Sequence, residues 1–165
     1  MSSAFRIRFA TAADLELISW HRARMFADMG EMPAEVFDSF RAQSLEALRK
    51  MFDRHQYVGW LATPQDEREK IVAGAGVQLR DVPPHPQPDA SGKIDIVSSR
   101  QAIIQNVYTE PDWRRRGLAA LLIKRAIEWT REQAIESVVL HASDEGRAVY
   151  ERLGFIATNE MRLLR

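Results

Sequence analysis

The chain has 165 residues, the size of one ordinary domain that can bury a hydrophobic core without disulfides, and we interpret residues 1–165 as a single domain. Its 23 basic and 23 acidic residues leave no net charge to attract nucleic acid or a membrane. The absence of cysteine excludes disulfides, thiolate metal ligands and a cysteine nucleophile. Because we find no secretory signal and no apolar stretch of about 18 residues, we expect a cytoplasmic protein without nucleic-acid or membrane partners.

The elements predicted in the first half of the chain are one strand, two helices and a hairpin. Residues 5–9 alternate between apolar and polar side chains, as in a half-buried strand. Apolar residues at helical spacing predict a first helix from residue 15 to Gly30 and a second helix that follows Pro33. Residues 57–62 and 71–79 are short, apolar or alternating, and the charged turn between them predicts a β-hairpin.

The second half begins with a proline-rich segment. Residues 81–93 hold four of the seven prolines, which excludes regular structure and predicts a long exposed loop. Five elements follow: a strand at 101–109, a helix from about 115 to 134, a short buried strand at 137–142, a short helix stopped by Gly154, and a closing strand or hairpin at 155–164. Antiparallel strands followed by a strand, helix, strand unit predict an α/β (α+β) fold, with a mixed, mostly antiparallel central sheet and helices on both faces.

Three consecutive arginines, Arg114 to Arg116, stand where a strand leads into a helix. The N-terminus of a helix favours anions, so dense positive charge at this point indicates an anion from outside the chain. Free backbone N–H groups at a helix start bind phosphate, and Gly117 lets the chain approach closely. The segment fits neither a P-loop nor a dinucleotide fingerprint. From these residues alone, a solvated surface cluster remains the alternative to an anion site.

The pattern of Arg114, Gly117 and Ala119, directly after the strand NVYT, matches RxxGxA. It resembles the acetyl-CoA signature of the GNAT superfamily of N-acetyltransferases, and the downstream segment SVVLHASDEGRAVYERLGF is similar to the second half of the same family's pattern. The resemblance implies the GNAT fold, acetyl-CoA as cosubstrate and no metal. It also implies transfer of an acetyl group to a primary amine, here of a small molecule, by direct attack without an acyl-enzyme.

The resemblance also implies where the site lies. The sheet would open between the strands at 101–109 and 137–142, and the pantetheine arm of coenzyme A would lie in the gap. Tyr150 matches the family position of the general acid that protonates the coenzyme A sulfur, and Ser143 stands where many members carry an asparagine. The implied cofactor contacts are Val107, Tyr108, Thr109, Arg114, Arg115, Arg116, Gly117, Leu118, Ala119, Ala120 and Ser143.

The base that takes the proton of the amine is not fixed by the resemblance. Some members place a carboxylate early in the strand at 101–109, but this chain has none there. We favour Asp28 and Glu31, which join the two early helices where the family forms its substrate lid, and which are also candidates for binding a cationic substrate. Arg22 interrupts the apolar face of the first helix and is interpreted as a partner of one of these carboxylates. The candidates for the base are His21, Asp28, Glu31, His141 and Glu160.

Two classes of function remain open. The first is an N-acetyltransferase for a small amine, with a protein amino-terminus as a variant of the acceptor. The second is a non-catalytic acyl-CoA sensor or partner-binding module, which Ser143 and the missing strand carboxylate favour, whereas Tyr150 favours the enzyme. Tyr150 also fits a half-buried core aromatic residue, and His21 and His141 fit structural histidines. A closing strand at the C-terminus leaves a homodimer open.

Overall fold

The structure, a computed structural model, describes residues 4–158 and 160–164. One five-stranded sheet contains all the strands of these residues, and the strands lie side by side in chain order. They are β1 (Phe5–Phe9), β2 (Tyr57–Pro64), β3 (Ala73–Pro88), β4 (Ile94–Thr109) and β5 (Ser137–Leu140). Neighbours from β1 to β4 pair antiparallel and β5 pairs parallel to β4, which confirms the mixed, mostly antiparallel sheet.

Four α-helices pack on the two faces of this sheet. They are α1 (Leu15–Asp28), α2 (Phe37–Asp53), α3 (Leu118–Glu132) and α4 (Asp144–Arg152). Side chains on β2 alternate between the faces, so Trp60 joins a cluster with α3 whereas Leu61 joins a second cluster with α1 and α2. The prediction of helices on both faces is therefore confirmed.

The sheet opens between its last two strands. β4 and β5 pair only from Gln101 opposite Ser137 to Ile104 opposite Leu140, and β4 then continues to Thr109 with β3 as its one strand neighbour among the described residues. A bulge lies at this point, because β4 uses one more residue than β3 between the pairs Gln105 with Gly76 and Tyr108 with Gly74. Asn106 in the bulge has a φ of 56°, and the bend leaves one side of β4 without a strand neighbour.

The proline-rich segment is not the long loop that the sequence predicts. Residues 81–88 and 94–100 extend β3 and β4 as a two-stranded arm, and only 89–93 form the turn at its tip. Two of the prolines, Pro83 and Pro84, fall where the pairing register shifts between Val82 and His85, so their missing N–H groups interrupt no ladder bond there. Such a ribbon also has free outer edges, where proline is tolerated.

Two further expectations are corrected at the helix and strand ends. The helix expected from about 115 begins at Leu118, because Arg115 and Gly117 have φ angles of 59° and 79°, outside the helical region. No strand forms at 155–158 or 160–164, where a closing strand was expected; Asn159 of that segment lies outside the described residues. Within the described ranges, no helix is long and apolar enough to cross a membrane.

Candidate active site

A cleft of about 800 Å³ opens where β4 leaves β5. Its walls come from α1 and the loop after it, from β4, from the start of α3, and from α4 with the loop before it. Most of the residues that the sequence singled out are brought together here. Lining the cleft are Asp28, Glu31, Val107, Tyr108, Thr109, Arg114, Arg115, Gly117, Leu118, Ala119, Ala120, Ser143 and Tyr150. Arg116 does not line it.

The start of α3 presents backbone N–H groups to the cleft. The first bond of the helix runs from the N–H of Leu121 to the carbonyl of Gly117, so the N–H groups of Leu118, Ala119 and Ala120 have no acceptor within the helix. The Leu118 side chain is buried in the core and fixes the position of this turn. A Cβ built on Gly117 would meet nothing within 4 Å, so the protein itself leaves the approach open. The arrangement suits an oxyanion.

The three arginines beside this turn have different surroundings. Arg114 donates to the carbonyl of Thr109 at 3.0 Å and to the carboxylate of Asp28, so internal partners hold its guanidinium. Arg116 lies over the ring of Trp113, with 4.6 Å between the guanidinium carbon and the ring centroid. Arg115 is exposed and lines the cleft. Arg115 is therefore the best placed of the three to meet an anion in the cleft.

Tyr150 is held by its own helix. A Cβ on Gly146, one turn earlier in α4, would lie 2.9 Å from the Tyr150 ring, so only glycine lets the ring lie there. Phe155 contacts the ring edge to face, with 6.2 Å between the centroids. Burial raises the pKa of the Tyr150 phenol above its ordinary value, so the hydroxyl keeps its proton at neutral pH. Ser143 caps α4 by accepting the N–H of Gly146 at 3.2 Å, which leaves its O–H free to donate.

Two of the five candidate bases are held away from proton transfer. His21 is buried outside the cleft lining, where its ring contacts the Tyr108 ring at a tilt of 37° and its Nε2 lies 3.4 Å from a carboxylate oxygen of Glu110. Burial lowers the pKa of His21 to about 4. Asp28 lines the cleft, but its carboxylate is paired with Arg24 at 3.3 Å and with Arg114.

His141 and Glu160 form a pair at the rim of the cleft. The Nε2 atom of His141 lies 2.8 Å from both carboxylate oxygens of Glu160, and this contact holds the pKa of Glu160 below its ordinary value. His141 follows β5, lines the cleft and is exposed to solvent. Glu31 also lines the cleft and is exposed, but it belongs to the loop after α1.

A buried polar network on the α1 side was not recognised from the sequence. Arg22 does not pair with Asp28 or Glu31; its Nη1 donates to the Oδ1 atom of Asn106 at 2.7 Å. The Nδ2 atom of Asn106 donates in turn to the hydroxyl of Tyr57 at 3.1 Å. The available signal was a charged residue on the otherwise apolar face of the first helix, but the sequence cannot show that a strand bulge supplies its partner.

Within the part of the chain that the structure describes, no group of three or more histidine, aspartate or glutamate side chains is arranged to hold a metal ion. The cleft combines backbone N–H groups and the exposed Arg115 side chain at the α3 start, a protonated phenol on α4, and a histidine with its carboxylate at the rim.

Comparison with known proteins gives this architecture a family. The chain matches the Acetyltransferase (GNAT) family over residues 16–155. A GCN5-related N-acetyltransferase from Ralstonia eutropha JMP134 shares 28% identity and a TM-score of 0.83, with 98% of each chain covered. A predicted acetyltransferase from Clostridium acetobutylicum, solved with acetyl-CoA, shares 27% identity and a TM-score of 0.76 over 98% of this chain and 96% of that chain. No curated protein matches. The chain belongs to the GNAT family of acetyltransferases.

Proposed function

We propose that the protein transfers an acetyl group from acetyl-CoA to a primary amine of a small molecule, by direct attack and without an acyl-enzyme. The observation that carries this proposal is that one cleft contains both the free N–H groups of the first turn of α3 and the protonated phenol of Tyr150. The free N–H groups can bind the diphosphate of acetyl-CoA, and the phenol can donate a proton to the departing sulfur. Acetyl transfer requires both functions.

The residues of the cleft fit coenzyme A in the following way. The N–H groups of Leu118, Ala119 and Ala120, with the Arg115 side chain, would hold the diphosphate. The edge of β4 from Val107 to Thr109, which does not pair with β5, would bind the pantetheine arm through its backbone groups. The free O–H of Ser143 would add one hydrogen bond. Bound there, acetyl-CoA supplies the acetyl group as a reactive thioester.

The chain supplies the proton transfers. Tyr150 donates its proton to the sulfur as the carbon–sulfur bond breaks and the carbon–nitrogen bond forms, which yields the acetylated amine and the free thiol. A backbone N–H at Val107 or Tyr108 stabilises the developing negative charge on the carbonyl oxygen. A covalent intermediate is not part of this proposal, and the chain has no cysteine that could form an acyl-thioester.

We assign the role of base to His141. It lines the cleft and is exposed, histidine is the side chain that most often serves as a general base, and a carboxylate oxygen of Glu160 lies 2.8 Å from its Nε2 atom. Among the other candidates, His21 is buried outside the cleft and Asp28 is paired with two arginines. The proton of the amine reaches His141 directly or through a water molecule.

A coenzyme A titration followed by a thiol-release assay tests this function. We expect calorimetry to detect binding of coenzyme A, and acetyl-CoA with a panel of small primary amines to release free thiol above the rate of spontaneous hydrolysis. Failure to bind coenzyme A would remove the proposal. Binding without release on any amine or on a peptide amino-terminus would favour the acyl-CoA sensing module instead.

A further inference from the structure

Arg22 places a guanidinium beside the cleft with no negative partner among the described residues. It lies on α1 and lines the cleft, and desolvation lowers its pKa from the ordinary value. Its hydrogen bond goes to the neutral amide of Asn106, and no carboxylate of residues 4–158 or 160–164 forms an ion pair with it. Holding a cation out of water without an opposite charge is unfavourable, so the folded chain maintains this charge at a cost in stability.

Other arginines around the cleft do not share this condition. Arg24, two residues further along α1 on another side of the helix, lies 3.3 Å from Asp28, and Arg114 bonds to the same carboxylate. Arg115 has no such partner but is exposed, so water solvates its charge. The combination of partial burial and missing counter-charge therefore distinguishes Arg22 from its neighbours.

The surroundings of Arg22 fix its direction but supply no charge. The rings of Phe26 and Phe40 lie beside the guanidinium, at 5.1 and 5.9 Å from its central carbon to the ring centroids. Asn106 is buried and bonded to Tyr57, and burial raises the pKa of that phenol to about 12, so it is neutral at physiological pH. A guanidinium has five N–H donors and Asn106 takes one of them. Donors thus remain for a ligand in the cleft.

The position of Arg22 places such a ligand at the reacting end of the cleft. Its partner Asn106 directly precedes Val107, where the proposed mechanism puts the acetyl carbonyl. An amine that attacks this carbonyl therefore has its neighbouring atoms close to the guanidinium. Planar guanidinium groups bind carboxylates and phosphates through paired hydrogen bonds.

We infer that the acceptor is a primary amine that carries an oxyanion, a carboxylate or a phosphate, close to its amino group, and that Arg22 binds this oxyanion. The inference rests on the proposed acetyl transfer and names the substrate class. Met25, Phe26 and Met29 line the cleft next to Arg22, so the body of the acceptor is apolar. Asp28 does not serve a cationic substrate, because its charge is already matched by Arg24 and Arg114.

Matched amines that differ only in the anionic group test the inference directly. One pair is L-phenylalanine and 2-phenylethylamine, and the other is O-phosphoethanolamine and ethanolamine. We expect kcat/KM for thiol release to be at least about 10-fold higher for the anionic member of one pair, since a charged hydrogen bond to a buried partner contributes that much. The pair that shows the preference distinguishes a carboxylate from a phosphate. Equal rates, or faster rates for the neutral members of both pairs, would overturn the inference.

The variant Arg22→Gln tests whether this side chain causes the preference. We expect kcat/KM for the anionic amine to fall roughly 10- to 100-fold, while the neutral amine and the dissociation constant of coenzyme A change by about 2-fold or less. Arg49→Gln removes the same charge from an exposed site on α2 and should preserve the preference. A loss shared equally by both members of the pair would mean that Arg22 only supports the fold, and would contradict the inference.

A binding experiment on the unaltered protein separates this inference from the proposed function. L-Phenylalanine, O-phosphoethanolamine and their neutral partners are titrated by calorimetry into protein saturated with coenzyme A, where no acetyl transfer occurs. Tighter binding of an anionic member supports the inference whether or not turnover is found. If coenzyme A binds and amines are acetylated but neither anionic member binds more tightly, the inference fails and the acetyltransferase function stands.

Discussion

The two walls of the cleft are built from different chemical groups. The wall formed by β4 and the start of α3 presents mainly backbone groups, because a bulge, an early strand end and a helix start leave them without internal partners. The wall formed by α1 presents charged side chains whose partners lie far away in the chain, such as Asn106 for Arg22 and Arg114 for Asp28. A short sequence motif predicts the wall formed by β4 and the start of α3, which we call the backbone wall. The partners of the charged side chains on α1 are visible only in the folded chain.

The largest expected effect comes from Tyr150 on α4, the proton donor of the proposed reaction. Tyr150→Phe removes the hydroxyl group and keeps the aromatic ring, which packs beside Gly146 and Phe155. We expect kcat to fall about 10²- to 10⁴-fold, the usual contribution of a positioned acid, while the dissociation constant of coenzyme A changes by less than about 3-fold. Thiol release and calorimetry measure the two quantities. Turnover equal to that of the parent would show that another group protonates the sulfur.

The contrast between the walls also marks how far the sequence predicts the site. Arg114, Gly117 and Ala119 stand in a motif because the geometry at a helix start depends on a few neighbouring residues, and all three line the cleft. Arg22 and Asn106 are 84 positions apart in the chain, and no local pattern links an α1 side chain to a bulge. The pairing of Asp28 with two arginines was missed for the same reason.

The fold shows a similar division. The spacing of apolar residues predicted the helices and the strands of the sheet well. A helix with one buried face and a strand with alternating side chains each leave a clear pattern in the sequence. The arm at 81–88 and 94–100 was missed because its prolines contradict strand propensity, and the register shift that accommodates two of them is a property of the pair of strands. The apolar alternation near residues 155–164 predicted a strand, but a strand also needs a partner, and none pairs with the described part of that segment.

The stability of the contact between α1 and β4 should depend on pH. The ring of His21 on α1 contacts the ring of Tyr108 on β4 with 4.9 Å between the centroids, and burial lowers the pKa of His21 to about 4 from the ordinary value near 6.5. Between these values the unfolded chain binds a proton that the folded chain excludes. The free energy of unfolding therefore falls as pH drops from about 6.5 to about 4, by roughly 3 kcal/mol in total.

Urea unfolding at several pH values measures this loss. His21→Gln should remove the decline between pH 6.5 and 4, whatever the stability of the variant at pH 7. Asp14→Asn serves as a control with a different window: its hydrogen bond from Arg8 lowers the pKa of Asp14 to about 2, so its contribution is lost only below about pH 4. A parent protein whose stability is flat from pH 6.5 to 4 would contradict the role given to His21.

A smaller expected effect distinguishes cofactor binding by the turn at Gly117 from the backbone strain that alanine causes at any residue with positive φ. Gly117 and Gly92 both have positive φ angles, 79° and 85°, and a Cβ on either would meet nothing within 4 Å. Alanine at each position therefore brings a similar backbone cost of about 1–2 kcal/mol. Gly117→Ala should also weaken coenzyme A binding about 10-fold, because relief of the strain moves the neighbouring N–H groups, whereas Gly92→Ala at the tip of the arm should not. Calorimetry that finds equal affinities for both variants would show that the turn at Gly117 does not hold the cofactor.

The smallest expected effect concerns the arginines beside this helix start. If backbone N–H groups provide most of the hold on the diphosphate, an exposed side-chain charge adds only a few-fold in affinity, because water and salt screen it. Arg115→Ala should weaken coenzyme A binding about 2- to 5-fold, and Arg116→Ala, whose guanidinium lies over Trp113, by less than 2-fold. The difference should shrink when the titration is repeated at about 1 M salt, where charges interact over only about 3 Å. A loss of 100-fold or more on replacing Arg115 would reverse the assignment, since the side chain rather than the backbone would then dominate binding at this wall.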